Sequence, residues 1–83
     1  EAQESTVFAD YTMPYAPTIY YDLITKDNVD ITVVDQSGRI VLSAENEPSS
    51  GNFFIRKELP DGTYIITISN NLETKNLRFV VKN

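Results

Sequence analysis

What most constrains this chain is the spacing of its apolar residues. They alternate in short runs, and nowhere do they recur at a helical period. Val7, Ala9, Tyr11 and Met13 alternate with Phe8, Asp10 and Thr12. Ile19, Tyr21 and Leu23 alternate with Tyr20, Asp22 and Ile24, and Val29, Ile31 and Val33 with Asp30, Thr32 and Val34. Later runs repeat the pattern: Phe53 and Ile55 leading into Leu59, then Tyr64, Ile66 and Ile68, then Leu77, Phe79 and Val81. A period of two puts one set of side chains on each face of a strand, and the β-branched and aromatic residues that dominate these runs suit a pleated surface.

Turn chemistry separates the runs about every 8–12 residues. Asp35-Gln36-Ser37-Gly38 is the clearest case. Asp at the first position accepts from backbone ahead of it and Gly at the fourth takes positive φ, which predicts a type I turn with a glycine bulge. It joins the strand over 29–34 to one over 39–45. Which face of that hairpin is buried stays open, because Val33 and Val34 are both apolar, as are Ile40, Val41 and Leu42. Residues 46–51, Asn-Glu-Pro-Ser-Ser-Gly, read as a loop. Pro14 and Pro17 break the chain between the first two strands, because proline cannot donate to a ladder. Leu59-Pro60-Asp61-Gly62-Thr63-Tyr64 ends one strand, reverses the backbone and starts the next.

The expected fold is all-β, a seven-stranded antiparallel Ig-like or fibronectin-III-like β-sandwich. Strands one, two and five would form one sheet, and three, four, six and seven the other. An open barrel is the second choice. The expected core is Ile19, Tyr21, Leu23, Ile31, Val33, Ile55, Leu59, Tyr64, Ile66, Ile68, Leu77 and Phe79. The 83 residues make a single domain over 1–83, with residues 1–5 polar and frayed.

Composition narrows function mainly by exclusion. There is no histidine and no cysteine, which removes His-dependent triads, thiol nucleophiles, disulfides and ordinary zinc sites. A net charge of −5 speaks against nucleic acid, which needs a basic face. No apolar run approaches the roughly 18 residues of a membrane-spanning helix. The polar opening at Glu1, where Met would stand, fits a processed or trimmed chain. Asp27, Asp35 and Asp61 sit in predicted turns, where Asp serves the local backbone. Asp27 to Asp30 lacks the glycine and the spacing of a calcium loop. No catalytic, metal or cofactor site is expected. Tyr11, Tyr15, Tyr20 and Tyr21 fall within eleven residues, and adjacent Phe53 and Phe54 must face opposite ways. Tyr15, Tyr20 and Phe54 are therefore the candidates for an exposed contact surface.

Leu59 to Tyr64 resembles the corner before strand F of Ig-like and fibronectin-III-like sandwiches, where a tyrosine hydroxyl reaches back to upstream backbone. Tyr64 would be that tyrosine. Ile31-Thr32-Val33-Val34-Asp35-Gln36-Ser37-Gly38-Arg39-Ile40-Val41, followed by the Leu59–Tyr64 corner, looks like the small Ig-like domains of gut-bacterial envelope proteins. Two families share that pair: short secreted or periplasmic proteins of unknown function, and the C-terminal sorting domain of the type IX secretion system. The resemblance makes Asp35, Gly38, Leu59, Gly62 and Tyr64 structural residues.

The leading expectation is a non-enzymatic bacterial module, secreted or held in the periplasm or cell envelope, that acts by contact with a protein or glycan. The alternative is a sorting domain recognised by type IX secretion machinery.

Overall fold

The computed structural model describes residues 5–11, 17–55 and 59–82. Seven strands follow in order: β1 (Thr6–Asp10), β2 (Thr18–Asp22), β3 (Val29–Val34), β4 (Ile40–Glu47), β5 (Ser50–Phe54), β6 (Gly62–Ser69) and β7 (Thr74–Val81). They make two antiparallel sheets, β1-β2-β5 and β4-β3-β6-β7. This is the expected strand partition, with β4 beside β3. Among the described residues no ladder joins the two sheets, so the fold is a sandwich and not the open barrel.

The alternating runs explain the core. Ile19 and Tyr21 of β2, Val29, Ile31 and Val33 of β3, Tyr64, Ile66 and Ile68 of β6, and Phe79 and Val81 of β7 all point between the sheets. Leu23, Ile55 and Leu59 join them from the strand ends. Eleven of the twelve expected core residues are buried; Leu77 instead lies half-buried at the rim, on edge strand β7. Val29 and Val81 were not in the expected core and are fully buried. The open question of the hairpin face is settled by β3: Val29, Ile31 and Val33 go inward, while Val34 pairs with exposed Ile40 on the outer face.

Five strand boundaries differ from the sequence reading. β1 stops at Asp10, where a run to Met13 was expected; Met13 and the Pro14–Ala16 break lie outside the described residues. β2 ends at Asp22, because Leu23 to Asp27 turn to meet the β6–β7 hairpin. β4 runs on to Glu47 and β5 starts at Ser50, so the expected loop over 46–51 shrinks to Pro48-Ser49. Asn46 at φ 60° opens a bulge that lets β4 continue, and the ladder to β2 recruits Ser50 and Gly51 opposite Asp22 and Tyr21. β5 accordingly ends at Phe54 and does not run into Leu59. Ser5 is also not frayed. It is buried, its hydroxyl donates to Glu73 Oε1 at 2.5 Å, and its Oγ accepts from the Ile24 N–H at 2.9 Å.

The Asp35–Gly38 turn forms as its chemistry predicts. The Gly38 N–H donates to the Asp35 carbonyl at 3.0 Å and the Asp35 N–H to the Arg39 carbonyl at 2.9 Å, with Gly38 at φ +88°. Tyr64 closes its corner by donating from its hydroxyl to the Pro60 carbonyl at 2.6 Å. Its ring stacks on Phe79 with centroids 5.7 Å apart. Tyr64→Phe keeps the ring and removes one partly buried hydrogen bond, so it is expected to lower unfolding free energy by about 1 kcal/mol. Urea unfolding of mutant and parent checks this, and equal midpoints would show that the corner bond contributes nothing.

Candidate functional site

The two sequence signatures meet in space. Asp35, Gln36 and Ser37 from the β3–β4 turn, and Pro60 to Tyr64 from the corner and the start of β6, line one groove of about 300 Å³ at one end of the sandwich. Gly62 is required by its backbone, not by crowding: its φ of +153° disfavours other residues, while a Cβ added there would make only ordinary contact, 3.7 Å from Gln36 Nε2. Asp35 and Asp61 are both on the groove wall. The Asp35 carboxylate is occupied by its own turn. Its Oδ1 accepts from the Ser37 hydroxyl at 2.7 Å and from the Ser37 and Arg39 N–H groups, each at 3.0 Å. Its Oδ2 lies 3.5 Å from Arg39 Nε. The Ser37 hydroxyl first, then the Arg39 N–H, hold its pKa below the ordinary Asp value.

A second polar cluster stands at the β6–β7 hairpin. Glu73 accepts from the Ser5 hydroxyl and from both the N–H and hydroxyl of Thr25. Asn70 Nδ2 donates to Thr25 Oγ1 at 2.9 Å, and its Oδ1 accepts from the Leu72 and Glu73 N–H groups. The cluster ties the segment before β1, the β2–β3 connection and the hairpin together. The Ser5 hydroxyl, then the Thr25 hydroxyl, lower the Glu73 pKa. Both carboxylates are thus depressed in the folded state, so their stabilisation is whole above the ordinary carboxylate values of 3.8 and 4.5 and drains away as pH falls through the lowered ones. Thermal midpoints should hold steady from neutral pH down to about pH 5 and fall below it. Glu73→Gln should flatten that acid limb; an unchanged limb in this variant would assign the acid loss elsewhere. Among the described residues, no group of three or more His, Cys, Asp or Glu side chains is placed to hold a metal ion.

The candidate contact residues fall on the outer face of β1-β2-β5. Tyr20 is half-buried there, and Phe54 is 50% exposed. Tyr15 lies outside the described residues. Phe8 was not among the candidates, yet it stands opposite Tyr20 in the register and stacks on it at 5.3 Å and 19°. Alternation could have found it: if Val7 and Ala9 pack inward, Phe8 must point out. Tyr21, the neighbour of Tyr20, faces the core and donates to the Pro48 carbonyl at 3.0 Å. Burial and then the charge of Glu47 raise its pKa, keeping the phenol neutral.

Fold and surface together define the class: a small β-sandwich with a groove built by its signature turns at one end and aromatic side chains along one outer face. Residues 14–82 match the family of the secretion system C-terminal sorting domain, and the chain belongs to that family. The match opens at the Pro14–Pro17 segment and takes in every strand from β2 to β7. No curated protein and no solved structure matches the chain. Membership favours the sorting domain over the stand-alone envelope module that was the leading expectation, and it makes this a secreted or cell-envelope part of a bacterial protein. No helix among the described residues is long and apolar enough to cross a membrane.

Proposed function

We propose that this domain is an export address: a folded, non-catalytic, Ig-like sandwich that type IX secretion machinery recognises by surface contact, meeting it from the periplasm. The observation that carries this reading is the family match over residues 14–82. Two features of the site agree with it. The Asp35 carboxylate serves its turn, and Tyr64 serves its corner, so the residues that mark the motif build shape and not chemistry. The aromatic strip of Phe8, Tyr20 and Phe54 offers rigid area for a protein partner.

The test is export of a fused reporter. The domain is placed at the C-terminus of a periplasmic reporter in a bacterium that has a type IX machinery. The reporter should reach the cell surface or medium, and should stay in the periplasm when the machinery is deleted. Export that survives the deletion, or no export from the intact strain, overturns the reading.

A further inference from the structure

A two-sheet sandwich has four edge strands, and here they differ sharply. β1 lies against β7, and that side is closed by Ser5 on Glu73 and by the Val80 N–H donating to the Tyr11 hydroxyl at 3.2 Å. β7 carries Lys75 and Arg78. β4 is broken by two register shifts, has Asn46 at φ 60°, and bears Glu45 and Glu47. Bulges, charges and cover are the ordinary means of blunting an edge. Among the described residues, β5 has none of them. Its five residues, Ser-Gly-Asn-Phe-Phe, carry no charge and pair with β2 one to one without a shift. Among the described residues no strand lies beyond it.

The phase of the ladder shows what β5 presents. The Leu23 N–H donates to the Ser49 carbonyl at 3.0 Å, in the same register as Tyr21 with Gly51 and Ile19 with Phe53. Antiparallel alternation then turns the backbone groups of Gly51 and Phe53 toward β2, and those of Ser50, Asn52 and Phe54 away from it. Beside this edge the sheets leave an opening of about 290 Å³ lined by Leu42, Glu47, Asn52, Phe53 and Phe54.

We propose that β5 takes up an extended segment of a partner protein as an added strand, and that this segment carries basic side chains between apolar ones. Alternate side chains of an added strand reach opposite faces. One set meets Leu42 and Phe53 in the opening, beside the Glu47 carboxylate; the other lies along Phe54. Glu47 in the opening beside the edge favours Lys or Arg in the newcomer. It disfavours a second copy of this chain, which would bring its own Glu47 and a net charge of −5 to the same place. The inference rests on the reading of the domain as a contact module, and it names the chemistry of the partner.

The experiment titrates the folded domain with a labelled synthetic peptide of alternating valine and lysine, read by fluorescence anisotropy. Binding should be saturable and should weaken about tenfold in Asn52→Pro, which removes an outward N–H and leaves the β2 ladder whole. Glu47→Lys should weaken it likewise, and a glutamate-for-lysine peptide should not bind. A peptide N-methylated at alternate backbone nitrogens should fail against the unaltered domain, which keeps the test clear of any folding defect in the variants. Equal binding of the methylated peptide, no binding of the parent peptide, or a β5-dependent dimer in sedimentation would each overturn the proposal. A domain that exports its reporter yet binds no peptide defeats this proposal alone. One that binds peptide but exports nothing defeats the export reading alone.

Discussion

Phe79→Ala is expected to lower the unfolding free energy by about 3–5 kcal/mol. Phe79 heads the fully buried side chains by volume. It sits on the inner face of β7 directly across from Tyr64, and the two rings stack at 22° between planes. Removing it deletes a ring's worth of transfer energy and leaves a cavity beside the one tyrosine whose position sets the corner. Neighbours cannot easily fill the space, because Tyr64 is tethered through its hydroxyl to Pro60. A cysteine-free domain of this size holds roughly 4–12 kcal/mol in total, so the loss takes a large share of what there is. The thermal midpoint should fall by more than ~12 °C. Phe79→Leu, which keeps most of the volume, should lose far less. If the export reading is right, reporter export should follow the folded fraction through this pair of variants. Full export from an unfolded Phe79→Ala domain would mean that the machinery reads a linear segment and not a sandwich.

Local chemistry wrote parts of this fold into the sequence and left other parts to tertiary pairing. β3 was legible over its whole length because polar Lys26-Asp27-Asn28 and the Asp35 turn bracket a clean alternation. The turn itself was legible because Asp35 and Gly38 satisfy its backbone without outside help. β5 was not. Ser50 and Gly51 look like loop residues, and it is the β2 backbone opposite them that makes them strand. That pairing uses N–H and C=O groups, which side-chain composition does not describe. Val29 and Val81 stand at strand ends, where burial depends on what else packs there, and alternation has least to say.

The site divides in the same way. Asp35, Gly38, Leu59, Gly62 and Tyr64 could be picked out singly, but only the fold brings the turn and the corner together around one groove. Phe54 could be expected outside from its alternation with Phe53, and Phe8 from its alternation with Val7 and Ala9. The stacking of Phe8 on Tyr20 required the β1–β2 register. Glu73 gave no signal at all. Its partner Ser5 is 68 residues away, and nothing local marks a hairpin-tip glutamate as the tie for the start of the chain. The family could not be chosen from the turn and corner alone, since those residues do structural work that any sandwich of this type requires; the match over residues 14–82 made the choice.

Gly38→Val is expected to lower the unfolding free energy by about 1–3 kcal/mol, through the backbone alone. A Cβ at Gly38 would meet nothing within 4 Å, so no clash contributes. The cost comes from φ +88°, which a β-branched residue adopts only under strain. To relieve it the turn must give up the bond from the Gly38 N–H to the Asp35 carbonyl, or let Arg39 drift from Asp35 Oδ1. Either movement shifts Asp35 to Ser37, and with them one wall of the groove. Asparagine tolerates left-handed backbone far better, so Gly38→Asn should cost well under half as much. The two variants separate strain from the mere loss of glycine: thermal midpoints should order as parent, then Asn, then Val. Equal losses in Asn and Val would show that positive φ is not what this position requires. If the groove itself is read by the secretion machinery, export of a fused reporter should fall in Gly38→Val by more than its folded fraction explains, and Gly38→Asn should restore it.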